Sequence, residues 1–262
     1  MKLIGFAGIL MGVWHVQGHG GVWNYEIDGK HYDGYKYWSP DTPQTTPQRR
    51  WPKRDPIEDL NDPYLACNYD GTTVAPSIHA PIPAGGAIVA HYEKNFTIPG
   101  DTQPQPETWG HNKGPIMAYM AACNGPCTTI DPSSSPKRIW FKIFELGLIN
   151  GTYGTGQWGS TAIYNGSPWT LTIPKNLKAR YYLIRHEVIN NYNSGYRTQW
   201  YMECAQLEVT GDGKQVPGEE YLVAFPGAYK ESDPGYNFTF YDSEERTKFV
   251  IPGPKVWTSN WT

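Results

Sequence analysis

Short runs in which apolar and polar residues alternate recur along the chain, each closed by Gly, Pro, Asn or Asp. Residues 86–92 follow the Pro-rich turn 80–84, and residues 138–144, 169–173, 181–189 and 204–210 repeat the pattern. A period of two is the signature of half-buried strands, and several such runs between turn signals predict an all-β immunoglobulin- or fibronectin-III-like β-sandwich. Helical periodicity is nearly absent, and residues 115–122 fit either a strand or a single helical turn. Residues 32–63 break the rhythm: they are rich in Tyr, Trp, Pro, Asp and Arg without alternation. A long aromatic loop of this kind in a compact domain is expected to be structured and functional.

The first residues change the picture of compartment. Met1-Lys2 gives a positive start, residues 3–13 form an uncharged apolar run, and Val16-Gln17-Gly18 offers modest side chains where a signal peptidase reads. This reads as a secretory signal peptide over 1–18, the competing reading being a buried N-terminal strand, and the run is too short to span a bilayer. Cleavage after Gly18 leaves a single domain, 19–262, that starts at His19, with no Ser/Thr/Pro linker and no carbohydrate-binding module. No later segment approaches ~20 apolar residues, so no membrane partner is expected. A net charge of −3 without a basic run argues against nucleic acid, and a secreted monomer is expected.

Four cysteines, Cys67, Cys123, Cys127 and Cys204, allow three disulfide connectivities. The Asn-Gly-Pro turn between Cys123 and Cys127 favours a local bridge, which leaves Cys67 with Cys204; a zinc site is the rival, without nearby His partners. Glycan sequons stand at Asn95, Asn150, Asn237 and Asn260, while the one at Asn165 is followed by Pro168. Aromatic residues make up 15% of the chain, with 19 Tyr and 11 Trp, which suits sugar-facing surfaces as well as a core.

Of the seven histidines, His19 would become the terminal residue and offer both its α-amine and imidazole Nδ1 to one metal. A second imidazole would complete a three-nitrogen site, a set that suits Cu(II). His111, in the loop Trp109-Gly-His-Asn-Lys-Gly-Pro115, is a candidate for that role, an exposed loop histidine being the alternative. His186 lies on one predicted strand and Gln199-Trp200-Tyr201 on another; Gln199 and Tyr201 share a strand face. A phenol beside a metal can bind axially, and a nearby Gln and His can hydrogen-bond an oxygen species. A core His and an ordinary core Tyr are the alternative.

Together these residues resemble the lytic polysaccharide monooxygenases of auxiliary activity family 9. The resemblance rests on His19-Gly20-Gly21-Val22, on Tyr25-Glu-Ile-Asp-Gly29, and on Asp62-Pro-Tyr-Leu-Ala-Cys67-Asn68. It continues through the His111 loop, Arg185-His186-Glu187, Gln199-Trp200-Tyr201, Phe225-Pro-Gly-Ala-Tyr229 with Asp233-Pro-Gly235, and Pro252 to Trp257. The His111 loop is one residue longer than the family's His-x-Gly-Pro, and Trp200 stands where Phe is usual. The resemblance implies one copper ion per mature chain with His19 and His111 as ligands and Tyr201 axial, and His186 and Gln199 beside it. It implies further that Tyr35, Tyr37 and Tyr241 belong to a flat substrate face, with Tyr32 and Trp38 in the same variable loop. The implied activity is oxidation of cellulose or a related β-1,4-glucan at carbon 1 or carbon 4, using dioxygen or hydrogen peroxide and an external electron donor. A glycoside hydrolase would need two carboxylates flanking the bond, and no such pair stands out; a non-catalytic copper- or carbohydrate-binding protein is the other rival. No G-x-S-x-G motif points to serine hydrolase chemistry.

Overall fold

The structure is a computed structural model that describes residues 20–37, 39, 42–51, 55–69, 71–72, 76, 78–92, 109–133, 136–190, 198–236 and 245–259. His19, Trp38, Tyr241, the expected leader 1–18 and the sequons at Asn95, Asn237 and Asn260 lie outside the described residues.

Two antiparallel-rich sheets face each other. One runs in the order β2 (Lys30–Asp33), β1 (Asn24–Ile27), β4 (Ala87–His91) and β9 (Trp169–Thr172). The other runs in the order β3 (Ala80–Pro83), β11 (Gln199–Thr210), β10 (Arg180–Asn190), β5 (Ile116–Ala122) and β6 (Trp140–Leu146). Only the β3–β11 pairing is parallel among these. A small hairpin of β7 (Leu148–Asn150) and β8 (Gln157–Trp158) leads into the single-turn-and-a-half helix α1 (Gly159–Tyr164). The expected β-sandwich is the observed architecture.

Alternation explains the packing. Tyr25, Ile88, Ala90 and Leu171 of the four-stranded sheet meet Ala118, Met120, Ile184, Val188, Tyr201 and Ala205 of the five-stranded sheet in the inter-sheet core. The opposite face of the five-stranded sheet is covered too: Met117, Tyr119, Leu183, Ile189, Trp200 and Met202 pack under Ile57, Leu60, Leu65, Phe225 and Tyr229. Burial on both faces makes residues 116–121 almost uninterruptedly buried. A strand covered on both sides loses its alternation, which is why residues 115–122 read ambiguously.

The long loop after β2 serves as a brace along the edge of β11. Gln48 bridges Ala205, Ile57 bridges Trp200, and β3 closes the rest of that edge. Cys67–Cys204 ties the loop to β11, and Cys123–Cys127 closes the turn after β5, the pairing that the spacing favoured. A bridge spanning 137 residues stabilises by on the order of 5 kcal/mol in a chain-entropy account.

Tyr35 corrects an expectation. It is 7% exposed and sits inside the loop, because the chain is stitched back on itself: its backbone N–H donates to Gln48 Oε1, and Thr46 Oγ1 donates to the Asp33 carbonyl at 2.6 Å. Tyr37 is half-buried, its ring packed on Trp23 (5.5 Å) and Trp51 (5.2 Å). Tyr32 lies on β2, with the Lys30 ammonium 5.0 Å from its ring centre.

Candidate metal centre

The site forms where β10 ends and β11 begins. Tyr201 is the third residue of β11, and strand alternation turns it and Gln199 to the same face. The His111 loop arrives from the other side and puts Nε2 3.0 Å from the Tyr201 hydroxyl. Trp109 forms the floor: its ring centre lies 5.3 Å from that of His111 and 4.8 Å from that of Tyr201, edge-on to both.

Three contacts fix the His111 loop. Thr161 of α1 donates from Oγ1 to the Asn112 carbonyl at 3.0 Å, and Ser160 N–H donates to the Gly114 carbonyl at 3.2 Å. Lys113, in the stretch that is one residue longer than the family's motif, donates its ammonium to the Gly154 carbonyl of the β7–β8 turn. Gly114 has φ +151, and a Cβ there would stand 1.7 Å from the Ile189 carbonyl oxygen, so no larger residue fits.

The first described residues, Gly20 and Gly21, come to the same place. Gly20 is buried, with the Trp109 ring 3.9 Å from where its Cβ would be. A Cβ on Gly21 would meet the Glu203 carboxyl at 2.3 Å, so glycine lets the backbone pass. Glu203 is fully buried, and desolvation pushes its pKa up to about 8 against the Val22 N–H and Asn68 bonds that favour the charge.

Tyr201 is 1% exposed, and burial, with the Glu58 and Asp55 carboxylates adding to it, pushes its phenol well above the usual range. It is held as a neutral phenol, whose hydroxyl donates to Gln199 Oε1 at 3.2 Å. Asn190 Nδ2 donates to the same oxygen at 2.9 Å, and Gln199 Nε2 donates to Glu58 Oε1 at 3.4 Å.

His186 does not join this group, contrary to the expectation that it stands beside the metal. It is 0% exposed, its ring packed against Tyr25 (5.6 Å) and Trp169 (5.1 Å), and neither ring nitrogen has a hydrogen-bond partner. Desolvation drives its pKa down to about 3. The register gives the reason: Val188 faces Tyr201 and Asn190 faces Gln199, while His186 faces Glu203 deeper in the sandwich. Asn190 therefore makes the contact to Gln199, and Trp109 and Glu58 complete the surroundings. Asn190 was legible only through the β10–β11 register, and Trp109 only through its place two residues before His111.

An imidazole nitrogen and a neutral phenol oxygen converging beside an indole are donors that a copper ion could take. Among the described residues no group of three His, Cys, Asp or Glu gathers to hold a metal. Among the described residues no helix is long and apolar enough to cross a membrane.

A β-sandwich that brings an imidazole and a buried phenol together beside an indole defines the class of the molecule. The profile of Auxiliary Activity family 9 (formerly GH61) matches residues 19–249. The AA9 family lytic polysaccharide monooxygenase B of Heterobasidion irregulare is 39% identical over 244 residues, covering 92% of this chain and 93% of that protein. The AA9 family lytic polysaccharide monooxygenase B of Malbranchea cinnamomea is 36% identical, over 98% of this chain and 99% of that one. The crystal structure of HiLPMO9B superposes with a TM-score of 0.79 at 39% identity, covering 92% of this chain and 100% of that one. A cellulose-active polysaccharide monooxygenase from M. thermophila superposes at 0.77 with 33% identity, over 92% and 99%. The chain belongs to auxiliary activity family 9, the copper-dependent oxidoreductases that cleave polysaccharides.

Proposed function

We propose that this chain cleaves cellulose or a related β-1,4-glucan oxidatively, and that the α-amine and imidazole of His19, with His111 and Tyr201, would hold the one copper ion this needs. The observation that carries this is the seating of Gly20 against Trp109, whose ring also touches His111 and Tyr201. His19 is joined to Gly20 by one peptide bond, which supports it as the partner of both side chains. The reading requires that 1–18 be removed as a secretory leader and that 19–262 act as one extracellular catalytic domain, working as a monomer.

A copper ion held there would supply one-electron chemistry for oxidation of carbon 1 or carbon 4 of the glycosidic bond by dioxygen or hydrogen peroxide with an external reductant. The residues supply the rest. Tyr201 stays protonated and offers a lone pair. Gln199 is placed to hydrogen-bond an oxygen co-substrate, and Trp109 closes the floor against water. The cellulose assignment is supported by the cellulose-active relative from M. thermophila. Mass spectrometry of products from cellulose with ascorbate tests the reading. Aldonic acids or keto-sugars are expected; simple hydrolytic sugars, or no copper-dependent product, would overturn it.

A further inference from the structure

The loop that carries His111 runs between two supports. On one side is β10: Ile189 N–H donates to the Pro115 carbonyl at 3.0 Å, and Gly114 lies so close to the Ile189 carbonyl that no Cβ fits between them. On the other side is the unit formed by the β7–β8 hairpin and α1. That unit is itself anchored. Gly159 N–H donates to the Gly147 carbonyl at 2.9 Å, and the buried Trp158 ring packs on Tyr153 (5.4 Å) and Phe249 (5.0 Å).

Thr161 stands where this unit meets the loop. It is the third residue of α1, and its Oγ1 accepts the Trp158 N–H at 2.8 Å, which caps the start of the helix. The same Oγ1 lies 3.0 Å from the Asn112 carbonyl oxygen. A backbone N–H can only donate and a carbonyl can only accept, so both directions are fixed: the hydroxyl accepts from Trp158 and gives its proton to Asn112. The position therefore demands a narrow chemistry. One atom must accept and donate at once, as a Ser or Thr hydroxyl does; a carboxylate only accepts, and an aliphatic side chain does neither. The carbonyl it holds belongs to the residue directly after His111. A peptide unit is planar, so a bond to its oxygen restrains everything from Asn112 Cα to Lys113 Cα.

We propose that Thr161 is a positioning residue for His111: its hydroxyl ties the loop to the capped start of α1 and so holds the imidazole in place before a metal binds. It acts through the loop backbone, not on metal or substrate. Lys113, which donates to the Gly154 carbonyl of the same unit, supports the same stretch. A ligand already held in its binding geometry does not have to be ordered when the metal arrives, which is how preorganisation raises affinity. The consequence for copper rests on the proposed function above, whereas the order of the loop in the copper-free chain does not.

Three substitutions separate this role from helix capping alone. Thr161→Ser keeps both bonds. Thr161→Asp keeps an acceptor for the Trp158 N–H, where a carboxylate suits the start of a helix, but cannot donate to Asn112. Thr161→Val loses both. In the copper-free full mature chain, backbone amide NMR relaxation over residues 111–114 reads the order of the loop. Wild type and Thr161→Ser are expected to be equally rigid there. Thr161→Asp and Thr161→Val are expected to be loosened alike, while only Thr161→Val melts at a lower temperature.

The copper-loaded proteins give the second readout. Thr161→Asp and Thr161→Val are expected to bind copper about tenfold more weakly and to show a changed Cu(II) electron paramagnetic resonance spectrum, with Thr161→Ser like wild type. If Thr161→Asp matches wild type in loop order and copper affinity while Thr161→Val differs, the hydroxyl only caps the helix and the proposal is overturned. Wild-type behaviour of all three variants overturns it as well. If Thr161→Val fails to fold, Thr161→Ser against Thr161→Asp decides. Failure of the copper reading shows differently: His111→Ala then leaves copper affinity unaltered, while loop order still responds to Thr161→Asp.

Discussion

The burial of His186 predicts how the protein loses stability in acid. In the unfolded chain its imidazole takes up a proton near pH 6.5; in the sandwich, desolvation holds its pKa at about 3. The unfolded state therefore binds one more proton between these values, so stability falls as pH drops through 6.5 and goes on falling until about 3. One pH unit corresponds to about 1.4 kcal/mol, so this residue contributes a loss of roughly 2–3 kcal/mol at pH 4.5 and on the order of 5 kcal/mol at pH 3. Glu203, raised from 4.5 to about 8, titrates the opposite way and opposes this slope down to about pH 4.5, so the His186 contribution is read as the difference between wild type and a His186 variant. The groups packed around the ring are Tyr25 from β1, Trp169 from β9, and Ala118 and Glu203 across the sheet. The Glu203 carboxyl, raised to about 8, is itself neutral throughout this window and supplies no counter-charge.

His186→Leu removes the titration while filling similar space. Urea unfolding from pH 3.5 to 7 on both proteins gives the protons taken up on unfolding, which should be about one fewer in the variant below pH 6. At pH 7 the variant should be at least as stable, because two partnerless ring nitrogens are replaced by carbon. Copper-normalised turnover should be unchanged. Parallel stability curves for the two proteins would refute the burial argument, and a tenfold loss of turnover with copper still bound would return His186 to the catalytic site.

Three further outcomes test the remaining readings. His111→Ala should weaken copper binding by about two orders of magnitude in calorimetry, since a nitrogen ligand is lost; equal affinity would remove His111 from the site. Any tag residue left before His19 should abolish tight copper binding, and N-terminal sequencing of secreted, active protein should begin at His19. Asn150 is exposed at the end of β7, so the Asn150-Gly-Thr152 sequon should carry a glycan in protein secreted from a fungal host, seen as a mass loss on peptide N-glycosidase treatment.

How much of this was legible in the sequence depended on what each residue's neighbours were. Strands with one face in the core, such as β4 and β9, announced themselves by alternation. β5 did not, because Met117, Tyr119 and Ala121 lie under the 222–229 segment and the long loop while Ala118 and Met120 face the other sheet. α1 has six residues, too few for helical periodicity to register. The loop's aromatics misled for a related reason. A tyrosine in a polar loop reads as surface, yet Tyr35 turns inward because Gln48, thirteen positions away, accepts its backbone N–H.

The metal centre shows what strand parity can and cannot decide. Parity alone correctly grouped Gln199 with Tyr201, and it equally put His186 on the inner face, since residues paired across a sheet point the same way. It says nothing about depth. Two residues along a strand are about 7 Å, and that step separates His186, beside Glu203, from Val188, beside Tyr201. Only the register between β10 and β11 supplies the missing coordinate, and the Arg-His-Glu run that drew attention to His186 holds no information about it. Where the register is known, the argument runs forward: the last pair of the ladder, Asn190 with Gln199, stands at the open end of the sandwich. Side chains there escape the core and can still be held by it. Polar groups that must meet a metal and a co-substrate belong at that end, and groups four residues deeper, as His186 and Glu203 show, are driven to their neutral forms.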